Sequence, residues 1–234
     1  LTSLQIADGM YPPQIKKILS PCFNRLARSP SGRLVAYSGR ERLVALWDVV
    51  AGKATGAWFL DGNLNSASPE TLAMAFSSDE KLLAVSAADS PLTVIRIADG
   101  TQVKIQIKDV WTAIPCLSFL PSGDLIYTQS ARLHTVNPET GARLRETPLA
   151  MPANFDPDRM DIRCGTLSPK GTEVALGIID MGFGIWEVAT GRMRAILKSR
   201  GQVEQLVFSP DGKLLATMGD GRFQLWKLPL PGGQ

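Results

Sequence analysis

Few residues in this chain could do chemistry, and their spacing argues against most of it. The one histidine, His134, sits in Leu133-His134-Thr135-Val136, so any histidine-dependent nucleophile–base pair must use it. The alternation around it reads as strand, and the expected role is a strand side chain that caps a sheet or meets solvent. Asp156, Asp158 and Asp161 offer oxygen ligands at a spacing calcium loops favour. The glycine and closing glutamate of such a loop are absent, so a solvated acidic loop is expected. Cys116 and Cys164 show no metal-ligand spacing and read as buried structural thiols. There is no Gly-rich loop ending in Lys-Ser or Lys-Thr and no Gly-x-Ser-x-Gly turn. No enzyme activity, cofactor or metal is expected.

Composition narrows the function classes further. The chain has 234 residues, 25 Lys plus Arg against 22 Asp plus Glu, and a formal charge of +3. That balance is too weak to argue for nucleic acid or a membrane surface. Apolar residues make up 44%, which excludes disorder. No apolar run reaches the length of a membrane helix; the longest uncharged stretch, Val110 to Gly123, is broken by Pro115 and Pro121. Three cysteines cannot build a disulfide framework, and a core of this size does not need one. The expected location is the cytoplasm, with a leader removed before Leu1 as the alternative.

The elements that must position these residues follow from an internal repeat. Ser29-Pro30-Ser31-Gly32, Ser77-Ser78-Asp79-Glu80, Leu120-Pro121-Ser122-Gly123, Ser168-Pro169-Lys170-Gly171 and Ser209-Pro210-Asp211-Gly212 each lie between two short apolar runs. Such a turn between alternating runs predicts a β-hairpin. A second landmark keeps the same register. Trp47, Ile95, Val136 and Trp186 each precede a glycine by five residues, at Gly52, Gly100, Gly141 and Gly191. Leu4 and Gly9 share the offset, and Trp226 opens the last member. The mean period is about 44 residues, which suits four short strands per repeat.

These residues resemble the WD-repeat β-propeller family over nearly the whole chain. The best single member is Val203 to Lys227, with Phe208-Ser209-Pro210-Asp211-Gly212, Leu215-Ala216-Thr217, Asp220-Gly221 and Leu225-Trp226 in family order. The family's turn aspartate, six residues before the Trp position, falls on Asp89, Asp180 and Asp220, with Glu41 standing in once. Around Ser130-Ala131 the turn is shortened and the acid is missing. The family's structural histidine is absent everywhere, so blades are expected to lean on packing more than on that polar network.

The resemblance implies an all-β fold, a β-propeller of four-stranded antiparallel blades, each with strands a to d running outward from a central channel. The expected blade cores are 22–60, 72–107, 114–147, 162–198 and 203–228, the last lacking strand d. Residues 1–19 form a partial blade, with c-like and d-like strands at 3–7 and 14–19. Because Leu1 begins in mid-repeat, we expect the C-terminal part of a six- or seven-bladed ring, with further strands upstream; a small five-bladed ring is the alternative. Residues 1–234 are then a single propeller domain or a portion of one.

For function, the resemblance implies a non-catalytic interaction scaffold for protein or peptide partners, with no specific nucleic acid and no membrane span. The alternatives are a regulatory or sensor region of a longer protein with catalysis upstream, and, third, a propeller enzyme with its site at the channel mouth. Two long d-to-a connections, 61–71 and 150–161, should share one rim with the b–c turns. Trp111, Arg40, Arg200, Ile179, Met181 and Phe155 would lie there as candidate partner anchors. Trp47, Trp186 and Trp226 are expected to be buried, and Asp89, Asp180 and Asp220 to bond backbone amides in the b–c turns. The basic residues of the first blade, Arg25, Arg28, Arg33, Arg40 and Arg42, read mostly as solvated. Arg28 replaces the phenylalanine of Phe76, Phe119 and Phe208, and should reach an edge or pair with an acid.

Overall fold

The computed structural model describes residues 23–39, 42–61, 71–87, 90–107, 114–152, 162–198 and 202–228. Nineteen strands form five antiparallel meanders with no helix among the described residues. Blade one is β1 (Phe23–Arg28), β2 (Leu34–Gly39), β3 (Leu43–Asp48) and β4 (Lys53–Phe59). Blade two is β5 (Thr71–Phe76), β6 (Leu82–Ala87), β7 (Leu92–Arg96) and β8 (Gln102–Ile105). Blade three is β9 (Leu117–Phe119), β10 (Leu125–Gln129), β11 (Arg132–Val136) and β12 (Arg143–Pro148). Blade four is β13 (Ile162–Leu167), β14 (Glu173–Ile178), β15 (Gly182–Glu187) and β16 (Met193–Leu197). Blade five has β17 (Gln205–Phe208), β18 (Leu214–Gly219) and β19 (Arg222–Lys227). The two N-terminal strands expected at 3–7 and 14–19 lie outside the described residues.

The a–b turns explain why these hairpins form. Ser29, Ser77, Ser168 and Ser209 each accept, on the side-chain oxygen, the backbone N–H of the residue that opens strand b, at 2.9–3.0 Å. Blade three has Leu120 instead, and its turn closes through backbone bonds from Leu120 N–H to the Asp124 carbonyl and from Gly123 N–H to the Leu120 carbonyl. Its strand a is also shorter than the expected 114–119. Pro115 lacks an N–H, and Cys116 is held by Thr128 through its N–H to the hydroxyl and its carbonyl to the amide. Beyond the c strands, Gly52, Gly100, Gly141 and Gly191 all take positive φ, which explains the glycine five residues after each Trp position. The c–d pairing shifts register beside Trp47, Val136 and Trp186, a repeated bulge that adds twist to the outer strand.

Blades pack face to face in chain order. The front of blade one, with Ala36, Val44 and Leu46, meets the back of blade two, with Leu83, Val85 and Ile95. The front of blade two meets Leu117, Leu125 and Tyr127 of blade three. Trp186, Val174 and Leu176 of blade four close on Cys116, Ile126 and Leu133. Phe183 and Ile185 on the other face of blade four meet Leu206, Phe208 and Leu215 of blade five. Strands buried on both faces read as continuous apolar runs, which is why the b strands carry Leu-Leu-Ala-type sequences.

Candidate functional site

In an antiparallel meander the b–c turns and the d-to-a connections emerge at one rim, and the a–b and c–d turns at the other. Side-chain bonds tie the first rim together. The Arg42 guanidinium, in the blade-one b–c turn, donates to the Asp61 carbonyl at 3.0 Å and to the Ser90 hydroxyl of the blade-two turn. Ser90 in turn donates to the same carbonyl at 2.6 Å. Arg42 is fully buried and takes positive φ, so it is a clasp between blades rather than the solvated cation its type suggested. Asp220 works similarly within blade five, accepting the Gln202 N–H at 2.9 Å. The bonded amide belongs to the entry into strand a, not to the turn, because both segments meet at this rim.

The b–c turns differ in build. Asp220-Gly221 and Ser130-Ala131 are two-residue turns with positive φ at both positions, the geometry that suits a twisted hairpin. Asp-Gly takes this conformation readily, whereas Ala131 (φ 56°) carries a Cβ that crowds it. Asp180 also has positive φ, within the longer turn from Ile178 to Gly182. Ile179 and Met181 flank it, both half-buried, and Met181 leans on the core between blades three and four. Of the other anchors named from sequence, Trp111, Arg40, Arg200 and Phe155 lie outside the described residues, as do Asp89 and the acids at 156, 158 and 161.

The three tryptophans hold equivalent places on the back faces of their blades but differ in surroundings. Trp186 is fully buried, and its Nε1–H donates to the Ala150 carbonyl at 2.9 Å. Trp226 is half-buried, meets Phe183 edge-on at 5.1 Å and donates to the Thr217 hydroxyl at 3.1 Å. Thr217 thus supplies the polar partner of the Trp226 indole. Trp47 is half-buried on blade one.

The residues with possible reactivity are held in unreactive settings. His134 is buried and stacked on Tyr127 at 4.9 Å, and its Nδ1 makes no hydrogen bond. Burial pushes it below the usual imidazole range, with Glu146, 3.7 Å away, pulling the other way. Glu146 is engaged by Arg132 at 2.9 Å and Arg143 at 2.7 Å. Burial pushes the Cys116 thiol up to about 12 and the Cys164 thiol up to about 11. Cys164 donates to the Val203 carbonyl at 3.3 Å. Neither forms a thiolate at neutral pH. Among the described residues no group of His, Cys, Asp and Glu is placed to hold a metal, and no helix is long and apolar enough to cross a membrane.

On blade one, Asp48 accepts from the N–H groups of Ala51 at 2.8 Å and Val50 at 3.0 Å, and from Arg33. Those bonds, the Ala51 amide first, hold its carboxyl below the usual range. Arg28 is exposed, and its guanidinium lies over Gly32 in the a–b turn.

Comparison with known proteins adds one family. Residues 192–227 match the WD domain, G-beta repeat. The matched unit begins at the head of β16, the outer strand of blade four, and ends with β19 of blade five, so it straddles two blades. No curated protein matches the chain. One stretch thus matches a single WD repeat, and the preceding blades share its strand order and turn chemistry within a β-propeller fold.

Proposed function

We propose that residues 1–234 are one propeller domain, or a portion of one, that acts as a non-catalytic scaffold and docks protein or peptide segments on the b–c rim. WD-repeat propellers are in general interaction scaffolds. The observation that carries the reading is the construction of this rim. Arg42, Asp61 and Ser90 lock neighbouring turns to one another, and Asp220 locks a turn to the connection entering its blade. Loops fixed on a rigid frame are the usual seat of recognition. Ile179 and Met181 offer apolar area around the exposed Asp180. Trp111, Arg40, Arg200 and Phe155 join them by their places in the sequence repeat. The burial of His134 and Cys116 and the raised thiols of Cys116 and Cys164 support a role without catalysis.

The test is a crosslinking map of captured partners on the parent chain and on the Trp111→Ala and Arg40→Ala variants. Loss of an anchor should weaken capture by roughly thirtyfold, corresponding to about 2 kcal/mol. If both variants retain their partners and crosslinks fall near Gly52, Gly100 and Gly191 on the other rim, the docking face is wrongly assigned.

A further inference from the structure

The seam between blades two and three holds a ring that can change its charge. The residue two before the Trp position on strand c is Ala45, Thr93, Gly184 and Gln224 in the other blades, and His134 in blade three. In blade four the Trp186 ring lies over Gly184. Blade three has the smaller Val136 at the Trp position, and His134, two residues along the same strand face, supplies a ring instead. Tyr127 on β10, His134 on β11 and Glu146 on β12 are register partners and form one row across the sheet. Tyr127 and Val136 on this face pack against blade two. The row runs from the core, where Tyr127 and His134 are buried, to the surface, where Glu146 meets solvent.

The polar needs of the imidazole are only half met. A backbone bond to Gln129 serves the ring, but Nδ1 is buried without a partner. Glu146 Oε2 lies 3.7 Å from Nδ1, too far for a hydrogen bond. That oxygen already accepts the Arg143 guanidinium at 2.7 Å, and Oε1 accepts Arg132 at 2.9 Å. Two guanidiniums and one carboxylate leave a positive surplus beside the ring before it gains a proton. Tyr127 is stacked on the ring, and burial pushes its phenol up, so it supplies no anion. Arg145, the other charge on β12, turns to the Ala189 carbonyl of blade four. From blade two, β6, β7 and β8 bring Ala84, Leu92, Val94, Val103 and Ile105 to the seam. The charged residues of β7 and β8, Arg96 and Lys104, pair with Asp99 and Asp61. Among the described residues, a charged His134 therefore finds no free carboxylate in the closed seam.

The closed seam holds the imidazole neutral, whereas an open seam lets it charge at its ordinary value of about 6.5. Burial depresses the native value, against the opposing pull of Glu146. The closed form is thus fully favoured above about 6.5 and loses ground as pH falls from there through the lower native value. The other face of blade three, where Ile126 and Leu133 meet Trp186, has no described group that charges in acid.

We propose that the seam between blades two and three is an acid-operated joint: on gaining a proton, His134 leaves Tyr127 for Glu146 and water, and the outer part of blade three parts from blade two while the seam to blade four stays shut. The hairpin that moves ends in the Ser130-Ala131 turn, so the b–c rim changes shape with it.

His134 is the one histidine in the chain, so a single imidazole signal follows its titration by proton NMR. The midpoint should fall below about 6.5. Opening is read at Val94→Cys, a thiol on the blade-two side of the seam, against the native Cys116 in the next seam. Ile105→Cys is read in parallel, so that the test survives if one reporter fails to fold. Labelling with dipyridyl disulfide, which still reacts in acid, is scored by peptide mass spectrometry. Below about 6.5 the reporter thiols should label up to about tenfold faster for each pH unit, with Cys116 unchanged. His134→Phe in the same backgrounds should abolish the rise. A midpoint at or above about 6.5 overturns the proposal, because the closed seam then tolerates the charge. So does a rise that survives His134→Phe or that Cys116 shares, because another group or global unfolding then opens the chain. Titration of the ring without any rise in labelling also overturns it, because the seam then stays shut around a charged imidazole.

Discussion

Replacing Trp186 with alanine should be more damaging than the same change at Trp47 or Trp226, although the three occupy one position in the repeat. Trp186 has no exposed surface, lies in the seam between blades three and four, and spends its N–H on the Ala150 carbonyl. Gly184, two residues earlier on the same strand face, leaves room for the ring; a Cβ there would sit 2.6 Å from it even at the second-nearest atom. Emptying such a site costs about 3–5 kcal/mol, a figure that includes the cavity. Trp226 and Trp47 leave part of the ring in solvent, and with less apolar area to lose each should cost about 2 kcal/mol. Trp186→Phe keeps most of the packing and forfeits the hydrogen bond, worth about 0.5–1.5 kcal/mol before any loss of volume. Urea unfolding followed by far-ultraviolet circular dichroism measures the series, with amide exchange in blade five to separate local opening from global unfolding. If Trp226→Ala destabilises as much as Trp186→Ala, or if Trp186→Ala lies within about 1 kcal/mol of the parent, then seam burial does not govern these positions.

Arg42→Leu should cost about 1.5–3 kcal/mol by thermal melting, because it strips charged donors from the Asp61 carbonyl and the Ser90 hydroxyl. Ala131→Gly should stabilise by about 1 kcal/mol in the same assay, since it relieves a left-handed alanine. His134 has its native pKa depressed by burial, so its contribution is full above the unfolded value and is lost as pH falls from about 6.5 through the native value. His134→Phe should flatten the stability profile there, leaving the loss at lower pH from Asp48, Asp79 and Asp211, whose carboxyls are also depressed. At pH 8 the folded chain should leave buried Cys116 unalkylated by iodoacetamide and label half-buried Cys164 only slowly, as peptide mass spectrometry would show, whereas rapid labelling of either would contradict their raised thiols.

The blade frame was legible because its landmarks are local. A serine that caps the opening amide of strand b and a glycine that must take positive φ after strand c act within five residues of sequence, so the serine marks blades one, two, four and five and the glycine marks blades one to four. What depended on neighbours was not legible. Arg42 looks like a surface cation, and only the meeting of two turns and the Asp61 carbonyl makes it an interior clasp. The tryptophans look alike in sequence, and their unequal burial follows from which blade lies behind each. Leu225 and Ile185 likewise read as the same strand position, yet one is exposed and the other buried, because among the described residues blade four has a following blade packed on that face and blade five does not.

The unit of sequence and the unit of sheet are out of step in this chain: the matched stretch 192–227 carries the outer strand of one blade and the inner three of the next. A nick in a c–d turn, such as the exposed loop from Val49 to Gly52, would therefore leave a sheet shared between two fragments. Each piece would hold strands that find their hydrogen-bond partners only on the other. Such cut sites suit split-protein reporters, in which the halves reassemble by restoring one ladder. They also mean that losing or duplicating one whole repeat keeps the seams between blades in register, since the strand deleted from one sheet is replaced by the equivalent strand of its neighbour.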